Sequence, residues 1–147
     1  MENVFNPWNV SALRDGVLLS PIDVDLPLQQ VAVADLAGIA ALAIERPEEF
    51  AGRRIRIASD ELSATDAAGA LARVTARPFS ARRVATGEIG SGLGSLFAWL
   101  EQTGHDVDIP GLHDRYPQVG WHTYEEWLRS ERPRLTALCP REHATLK

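Results

Sequence analysis

Histidine and carboxylate side chains, the groups that move protons and bind divalent metals, are concentrated in one short stretch. The segment GHDVDIPGLHD, 104–114, contains His105, Asp106, Asp108, His113 and Asp114. Pro110 and Gly111 are expected to break any helix that would place these side chains on one face. The spacing also matches no zinc pattern. The sequence therefore favours exposed loop residues here and predicts no metal site.

The glycine-rich stretch GEIGSGLGSLFAWL, 87–100, raises the question of a phosphate-binding loop, because glycines before a helix expose backbone N–H groups to an anion. The dinucleotide fingerprint G-x-G-x-x-G requires its third glycine three residues after the second. Gly90, Gly92 and Gly94 run at spacing two, and Ser95 stands where the third glycine belongs. We interpret the stretch as a flexible loop that opens a helix. No cofactor-binding residue is predicted.

No side chain is placed to act as an activated nucleophile. Cys139 lies between Leu138 and Pro140 with no histidine positioned to activate it, so we interpret it as an unreactive thiol. Ser91 lies in GSG, whereas a nucleophile elbow requires G-x-S-x-G after a strand.

Size and charge exclude several classes of protein. The 147 residues are enough for one domain with a core of its own. The net charge of −5 gives no electrostatic signature for nucleic acid or an anionic membrane. The single cysteine fits a reducing compartment, and neither a membrane span nor a signal-type segment is present. We therefore expect a cytoplasmic protein that binds neither nucleic acid nor membrane.

The elements that position these residues alternate between strands and helices. QQVAV, 29–33, is a strand candidate, and Asp35 is the expected N-cap of a buried, alanine-lined helix that ends at Arg46 before Pro47. RRIRIAS, 53–59, alternates isoleucine with arginine at the period of a strand. PFSARRVA, 78–85, is a further strand candidate. The alternation predicts an α/β fold.

Capping signals predict the remaining helices. Ser63 with Asp66, and Thr123 with Glu126, form capping boxes, the first before a stripe of Ala67, Leu71 and Val74. SLFAWLEQTG predicts a helix with Gly104 as its C′ glycine. The segment 133–147 contains two prolines and no clear period, so we expect it to be loosely ordered and the domain to span 1–132.

The order and spacing of these signals resemble the C-terminal half of the NmrA-like family of atypical short-chain dehydrogenases. The resemblance runs from Met1 to Leu128 and is carried by VAVADLAGIAA, FAGRRIRIASDELSATDAA and TGHDVDI…YP, followed by TYEEWL. Members of that family join a dinucleotide-binding Rossmann half to a smaller substrate-binding half, and act as NAD(P)-dependent reductases or redox-sensing regulators. The resemblance implies a truncated Rossmann-like substrate-binding domain with a short, mainly parallel sheet, packed helices and a helical C-terminal part.

The resemblance also has consequences for cofactors and partners. The sequence begins at MENVF, near the start of the family's substrate half, without the βαβ region that carries the glycine fingerprint. We therefore expect that this chain alone does not bind NAD(P), unless another chain completes it. A sheet cut at one side leaves unpaired edges and apolar helix faces, so we expect a homodimer or a complementing protein chain.

Candidate site residues come partly from the resemblance, which places MENVFNPW along the floor of the family's substrate cavity with Asn3 and Phe5 facing it, and partly from Trp8 and Trp121, large rings in irregular segments beside polar residues. Asn3 would orient a carbonyl or hydroxyl group, and Glu2 is the nearby acid able to move a proton; these are the expected catalytic residues. The alternative is a terminal segment that frays. Substrate binding is assigned to Phe5, Trp8, Gln29, Gln30, Trp121 and His122. For both glutamines, Trp8 and Trp121, packing is an equal alternative.

Three functions stay open. The first is cofactor-independent binding of a small organic molecule in an apolar pocket, with a non-redox isomerisation or cyclisation that depends on shape and a few polar groups. The second is an NAD(P)H-dependent oxidoreductase whose dinucleotide-binding half is a separate chain. The third is a non-catalytic regulator that binds a protein partner.

Overall fold

Four short strands form the β-structure of the computed structural model, which describes residues 1–85, 87 and 92–139. They are β1 (Val17–Ser20), β2 (Leu28–Gln30), β3 (Asp60–Leu62) and β4 (Ser80–Arg83). β1 pairs in parallel with β4, and β2 pairs antiparallel with β3. The longer of the two pairings is therefore the parallel one.

Eight α-helices accompany these strands within the described residues. They are α1 (Pro7–Arg14), α2 (Val33–Glu45), α3 (Pro47–Phe50), α4 (Ala64–Thr75), α5 (Gly94–Gln102), α6 (Ile109–Arg115), α7 (Tyr124–Ser130) and α8 (Arg132–Leu138). Short 3-10 helices cover Glu2–Phe5 and Pro117–Val119. The predicted α/β fold, with a parallel strand pair, packed helices and a helical C-terminal part, is confirmed. None of the helices in the described ranges has the length and apolar character needed to cross a bilayer.

The main core is built around helix α4. Its capping box is present as predicted, with Ser63 Oγ accepting from the Asp66 N–H at 3.1 Å. The buried face of α4 is formed by Leu71, Val74 and three alanines, whose small side chains let neighbouring elements approach closely. Leu13, Leu128 and Leu135 pack into the same core from α1, α7 and α8, and none of the three is exposed. Burying each leucine stabilises the fold by roughly 2 kcal/mol.

A second core lies between α2 and α6. Ile39 and Leu42 of α2 pack with Leu112 and Tyr116. Ile55 and Ile57 are half-buried against this cluster, so the apolar side of RRIRIAS faces inward as its alternation indicates. Nevertheless, residues 53–58 form no strand, because the antiparallel ladder with β2 begins only at Asp60 and a strand needs a neighbour for its backbone groups. The prediction of a strand at 53–59 was wrong.

Helix α2 differs from its prediction in both start and rotation. It begins at Val33 with Ala32 as N-cap, so QQVAV gives a strand only at its two glutamines. Asp35 lies in the first turn and is completely buried, where its carboxylate accepts from His122. Because this turns the Asp35 face inward, Leu36 and Ile44 are 44% and 80% exposed. The predictions of an Asp35 N-cap and of a buried helix were therefore wrong.

Helices also form in two segments that were expected to be a loop or loosely ordered. Helix α6 runs through Pro110 and Gly111, because proline in the first turn needs no N–H partner and Asp108 accepts from the Gly111 N–H at 3.1 Å. Helix α8 occupies the start of 133–147 and buries Leu135, so the expected loose order does not hold there. A seven-residue helix is too short to show a clear period in the sequence. Residues 140–147 lie outside the described residues.

The remaining local predictions agree with the structure. β4 lies within PFSARRVA, and the Thr123 capping box opens α7. Gly104 follows the end of α5 with φ +64°, and its N–H donates to the Trp99 carbonyl at 3.2 Å. This is the left-handed C′ position that favours glycine. Of the glycine-rich stretch before α5, residues 88–91 lie outside the described residues, as does Thr86 just before the stretch.

Candidate ligand-binding cavity

A cavity of about 670 Å³ lies between the N-terminal segment, β1, β2 and α5. Its volume falls within the range of about 300–1,000 Å³ that is typical of small-molecule sites. Most of its wall is apolar and comes from elements far apart in the chain. The apolar side chains are Met1, Val4, Leu18, Leu19, Pro21, Ile22, Leu26, Leu28, Val31, Val33, Leu62, Ala64, Ala67, Leu93, Leu96, Phe97 and Leu100.

Neutral amides supply much of the polar part of the wall. Asn3, Asn6 and Gln30 line the cavity, and their side chains form no hydrogen bond with the part of the chain that the structure describes. Asn9 is buried, and its Oδ1 accepts from the Leu19 N–H at 3.0 Å, which ties α1 to β1. Its Nδ2 has no partner among the described residues. The cavity therefore presents several uncommitted donors and acceptors to a ligand.

Glu2 also lines the cavity, but its carboxylate is held by the fold. Its Oε1 accepts from the Val33 N–H at 3.0 Å and from the Trp127 Nε1–H at 3.1 Å. Burial acts to raise the pKa of this carboxyl, but hydrogen bonds from backbone N–H groups and the nearby N-terminal ammonium together outweigh burial and hold the pKa below its ordinary value. Glu2 is therefore an ionised acceptor at neutral pH.

The two glutamines predicted to bind substrate have different surroundings. The amide of Gln29 clamps the segment before α6, because its Nε2 donates to the Val107 carbonyl at 3.0 Å and its Oε1 accepts from the Val107 N–H at 2.9 Å. Gln30, the next residue, has no such partner among the described residues and lines the cavity with a free amide. Of the two, Gln30 is the one available to a ligand.

Two aromatic side chains complete the wall. Trp8, predicted to bind substrate, lines the cavity from α1 and is half-buried. Tyr124 was not predicted; it lines the cavity from the start of α7, and burial raises the pKa of its phenol. Its hydroxyl therefore stays protonated and able to donate a hydrogen bond.

Phe5, Trp121 and His122, the other residues predicted to bind substrate, do not line this cavity. Phe5 is buried against Trp127 at 5.8 Å between ring centroids. Trp121 stacks on His113 at 4.6 Å, and its Nε1–H donates to the Tyr116 carbonyl at 3.0 Å. His122 pairs with Asp35.

Helix α5 covers one side of the cavity. Leu93 at its N-cap, together with Leu96, Phe97 and Leu100, forms one helical stripe towards the cavity, yet no residue of α5 is buried. Glu101 fastens the helix, since its Oε1 accepts from the Asp23 N–H and from the Arg83 guanidinium, each at 2.8 Å. The sequence did not single out Phe97 as a site residue. The apolar stripe after the glycine run was the signal for its role in this wall.

Of the 104–114 cluster, His105 lines the cavity, whereas Asp106, Asp108, His113 and Asp114 do not, and neither does Cys139. Among residues 1–85, 87 and 92–139, no group of three or more histidine, cysteine or acidic side chains is arranged to hold a metal ion. Cys139 is buried, its thiol donates to the Leu13 carbonyl at 3.2 Å, and burial raises the pKa of that thiol.

Comparison with known proteins adds information about the fold. No family model and no curated protein matches the sequence. Among solved structures, the chain is similar to a crystallised double mutant of NmrA, with a TM-score of 0.52 and 18% sequence identity. The match covers 80% of this chain and 43% of the NmrA chain, so this chain spans less than half the length of the structure it matches. The protein therefore has an NmrA-like fold.

Proposed function

We propose that this chain binds a small, largely apolar organic molecule that carries a carbonyl or hydroxyl group. The observation that carries the proposal is the apolar cavity of about 670 Å³ with uncommitted amides in its wall. The apolar wall favours a ligand of similar character, because contact with it removes apolar surface from water. The amides of Asn3, Asn9 and Gln30 then orient the single polar group of the ligand.

A non-redox isomerisation or cyclisation is the reaction that this wall supports best. Asn3 would polarise a ligand carbonyl by donating a hydrogen bond. Glu2 is the only carboxylate among the described lining residues, so it is the proposed proton acceptor. The proton taken from the ligand would return to another of its atoms, which needs no oxidant or cofactor. In this proposal the chain alone binds no NAD(P).

The experiment uses NMR of the ¹⁵N-labelled chain with uncharged cyclic ketones and alcohols, 2-decalone and 2-naphthol among them. Ala64, which lines the cavity at the start of α4, is replaced by tryptophan to fill the space. Ala72→Trp on the same helix, also at a half-buried position but outside the lining, is the matched control. We expect shifts at the lining residues, retained in Ala72→Trp and lost in Ala64→Trp.

Two outcomes of this NMR experiment would contradict the proposal. Absence of binding across the panel, or shifts that are equal in the two variants, would exclude this cavity as the site. A calorimetric titration with NADPH tests the oxidoreductase alternative, because tight binding by this chain alone would show that a dinucleotide site exists.

A second candidate function, binding of a protein partner, is favoured by the outer face of α2. This face consists of Val33, Leu36, Ala37, Ala40, Ala41 and Ile44, which are all exposed. Their spacing of three and four residues makes one continuous stripe with no charged residue in it. An apolar stripe of this kind marks an interaction surface in soluble proteins. A homodimer or a complementing chain would cover it.

A further inference from the structure

A second hollow, of about 590 Å³, lies between residues 53–56, the segment before α6, and α6 itself. Four arginines line it, Arg53, Arg54, Arg56 and Arg115, and all four are exposed. None of them forms an ion pair with any residue in the described ranges. In a chain with 20 acidic residues and a net charge of −5, four unpaired arginines around one hollow form a local positive site in an otherwise acidic protein.

The backbone that carries these arginines is held in place by contacts with the second core. Ile55 alternates with Arg54 and Arg56 and packs into the second core. Leu112 and Tyr116 are buried beneath the hollow, and the Arg115 guanidinium lies 5.5 Å from the centre of the Tyr116 ring. The Gln29 clamp on Val107 holds the opposite wall. The arginine side chains therefore extend into solvent from a backbone that contacts within the protein hold in place.

Two aspartates in the lining affect which anion charge the hollow favours. Asp106 and Asp108 line it together with the four arginines, which leaves a net charge of about +2 if every group is ionised. Asp108 already caps α6 through the Gly111 N–H. Asp106 has no partner among the described residues, so its carboxylate is free to accept from a hydroxyl group or to repel an anion that comes too close. A dianionic group matches this balance better than a monoanionic one.

We propose that this hollow binds the phosphate group of a small phosphate monoester or diphosphate. Guanidinium groups hold phosphate oxygens through two parallel N–H···O bonds, which makes arginine well suited to phosphate. Among the described residues that line this hollow, every basic side chain is an arginine. The site is separate from the apolar cavity and does not depend on the function proposed for it.

The test is a calorimetric titration with pyrophosphate and, separately, with glucose 6-phosphate, at about 50 mM and about 300 mM NaCl. The double variant Arg54→Gln, Arg56→Gln removes two of the four charges. Arg82→Gln is the matched control, since Arg82 is an exposed arginine on β4 outside the hollow and has no ion pair among the described residues. We expect binding that weakens at the higher salt, falls at least tenfold in the double variant and is unchanged in Arg82→Gln.

Asp106→Asn is a variant for which the proposal predicts tighter rather than weaker binding. Removing this carboxylate is expected to tighten binding of pyrophosphate several-fold, a gain that a damaged fold would not produce. Vesicles containing phosphatidic acid test a lipid headgroup as the source of the phosphate. Absence of binding to both soluble compounds, or equal losses in the double variant and in Arg82→Gln, would overturn the proposal, and so would binding to the vesicles alone.

Discussion

The pair Asp35 and His122 joins two distant parts of the chain through a fully buried carboxylate and a histidine whose side chain is 36% exposed. The Asp35 side chain is fully buried, and its Oδ2 accepts from the His122 backbone N–H at 3.0 Å. Its Oδ1 lies 2.5 Å from the Nδ1 of the same histidine. The pair joins the first turn of α2 to the segment before α7. A buried carboxylate with both oxygens engaged is costly to disturb.

Asp35→Asn is therefore expected to lower the free energy of unfolding by about 1–3 kcal/mol, because it weakens two hydrogen bonds in a buried place. His122→Ala is expected to cost less, since the backbone N–H of residue 122 still donates to Asp35. Urea denaturation of the two variants measures both effects. Equal losses, or no loss in Asp35→Asn, would show that the pair does not stabilise the fold.

At the scale of elements, the cap of α7 makes stability depend on pH. The Glu126 carboxylate accepts from the Thr123 N–H at 2.9 Å and from its hydroxyl at 2.7 Å. The backbone hydrogen bond from Thr123, and then the hydroxyl, hold the pKa of Glu126 below its ordinary value of 4.5. A group with a lowered pKa in the folded state stabilises the fold above its unfolded-state pKa, and the effect is lost as the pH falls through the folded value.

Glu126→Gln should therefore be less stable than the natural sequence at pH 7, and this difference should disappear as the pH falls well below 4.5. Thermal unfolding across a pH series measures it. A matched variant is Glu61→Gln on β3, an exposed acid outside the capping boxes. A difference for Glu126→Gln that stays constant across the series would contradict the assignment.

Helix α5 is joined to distant parts of the chain through Glu101. None of its residues is buried, and Glu101 joins it to the Asp23 backbone and to Arg83. Glu101→Ala removes both contacts, so we expect faster cleavage of α5 in limited proteolysis and weaker binding of any ligand in the apolar cavity. The neighbouring Gln102→Ala, at an exposed position, is expected to behave like the natural sequence. Equal cleavage rates in the two variants would show that Glu101 is not the anchor.

For the whole molecule, the apolar face of α2 predicts association. Leu36 and Ile44 are 44% and 80% exposed, and contact with a partner would remove this surface from water. We expect light scattering to show a mass that grows with protein concentration. Leu36→Lys with Ile44→Lys should abolish this growth without lowering stability, because neither side chain is buried. Glu48→Lys, at an exposed position on α3, is the control for added positive charge.

A constant monomer mass at high concentration would contradict the dimer and leave a complementing chain as the partner to seek. Association that persists in the double lysine variant would move the interface away from α2.

Local features of the fold were predictable from the sequence because they rest on neighbours within a few residues. Both capping boxes are of this kind, as are the C′ position of Gly104 and the buried stripe of α4. The alternation also indicated correctly that Ile55 and Ile57 face inward, although the predicted strand does not form. Alternation reports which side chains face inward, whereas a strand also needs a partner that the sequence does not place.

The sequence by itself determined the α/β class, the helix caps and the position of residues 2–8 as candidates for a site. Tertiary structure alone decided the rotation of α2, because it depends on a contact between Asp35 and His122 across 87 positions. It also decided that Asn9, Gln30, Tyr124 and the stripe of α5 share one cavity, while Phe5, Trp121 and His122 lie elsewhere. The physical reason is that a cavity and a helix face are defined by contacts between residues far apart in the chain, which local patterns do not specify.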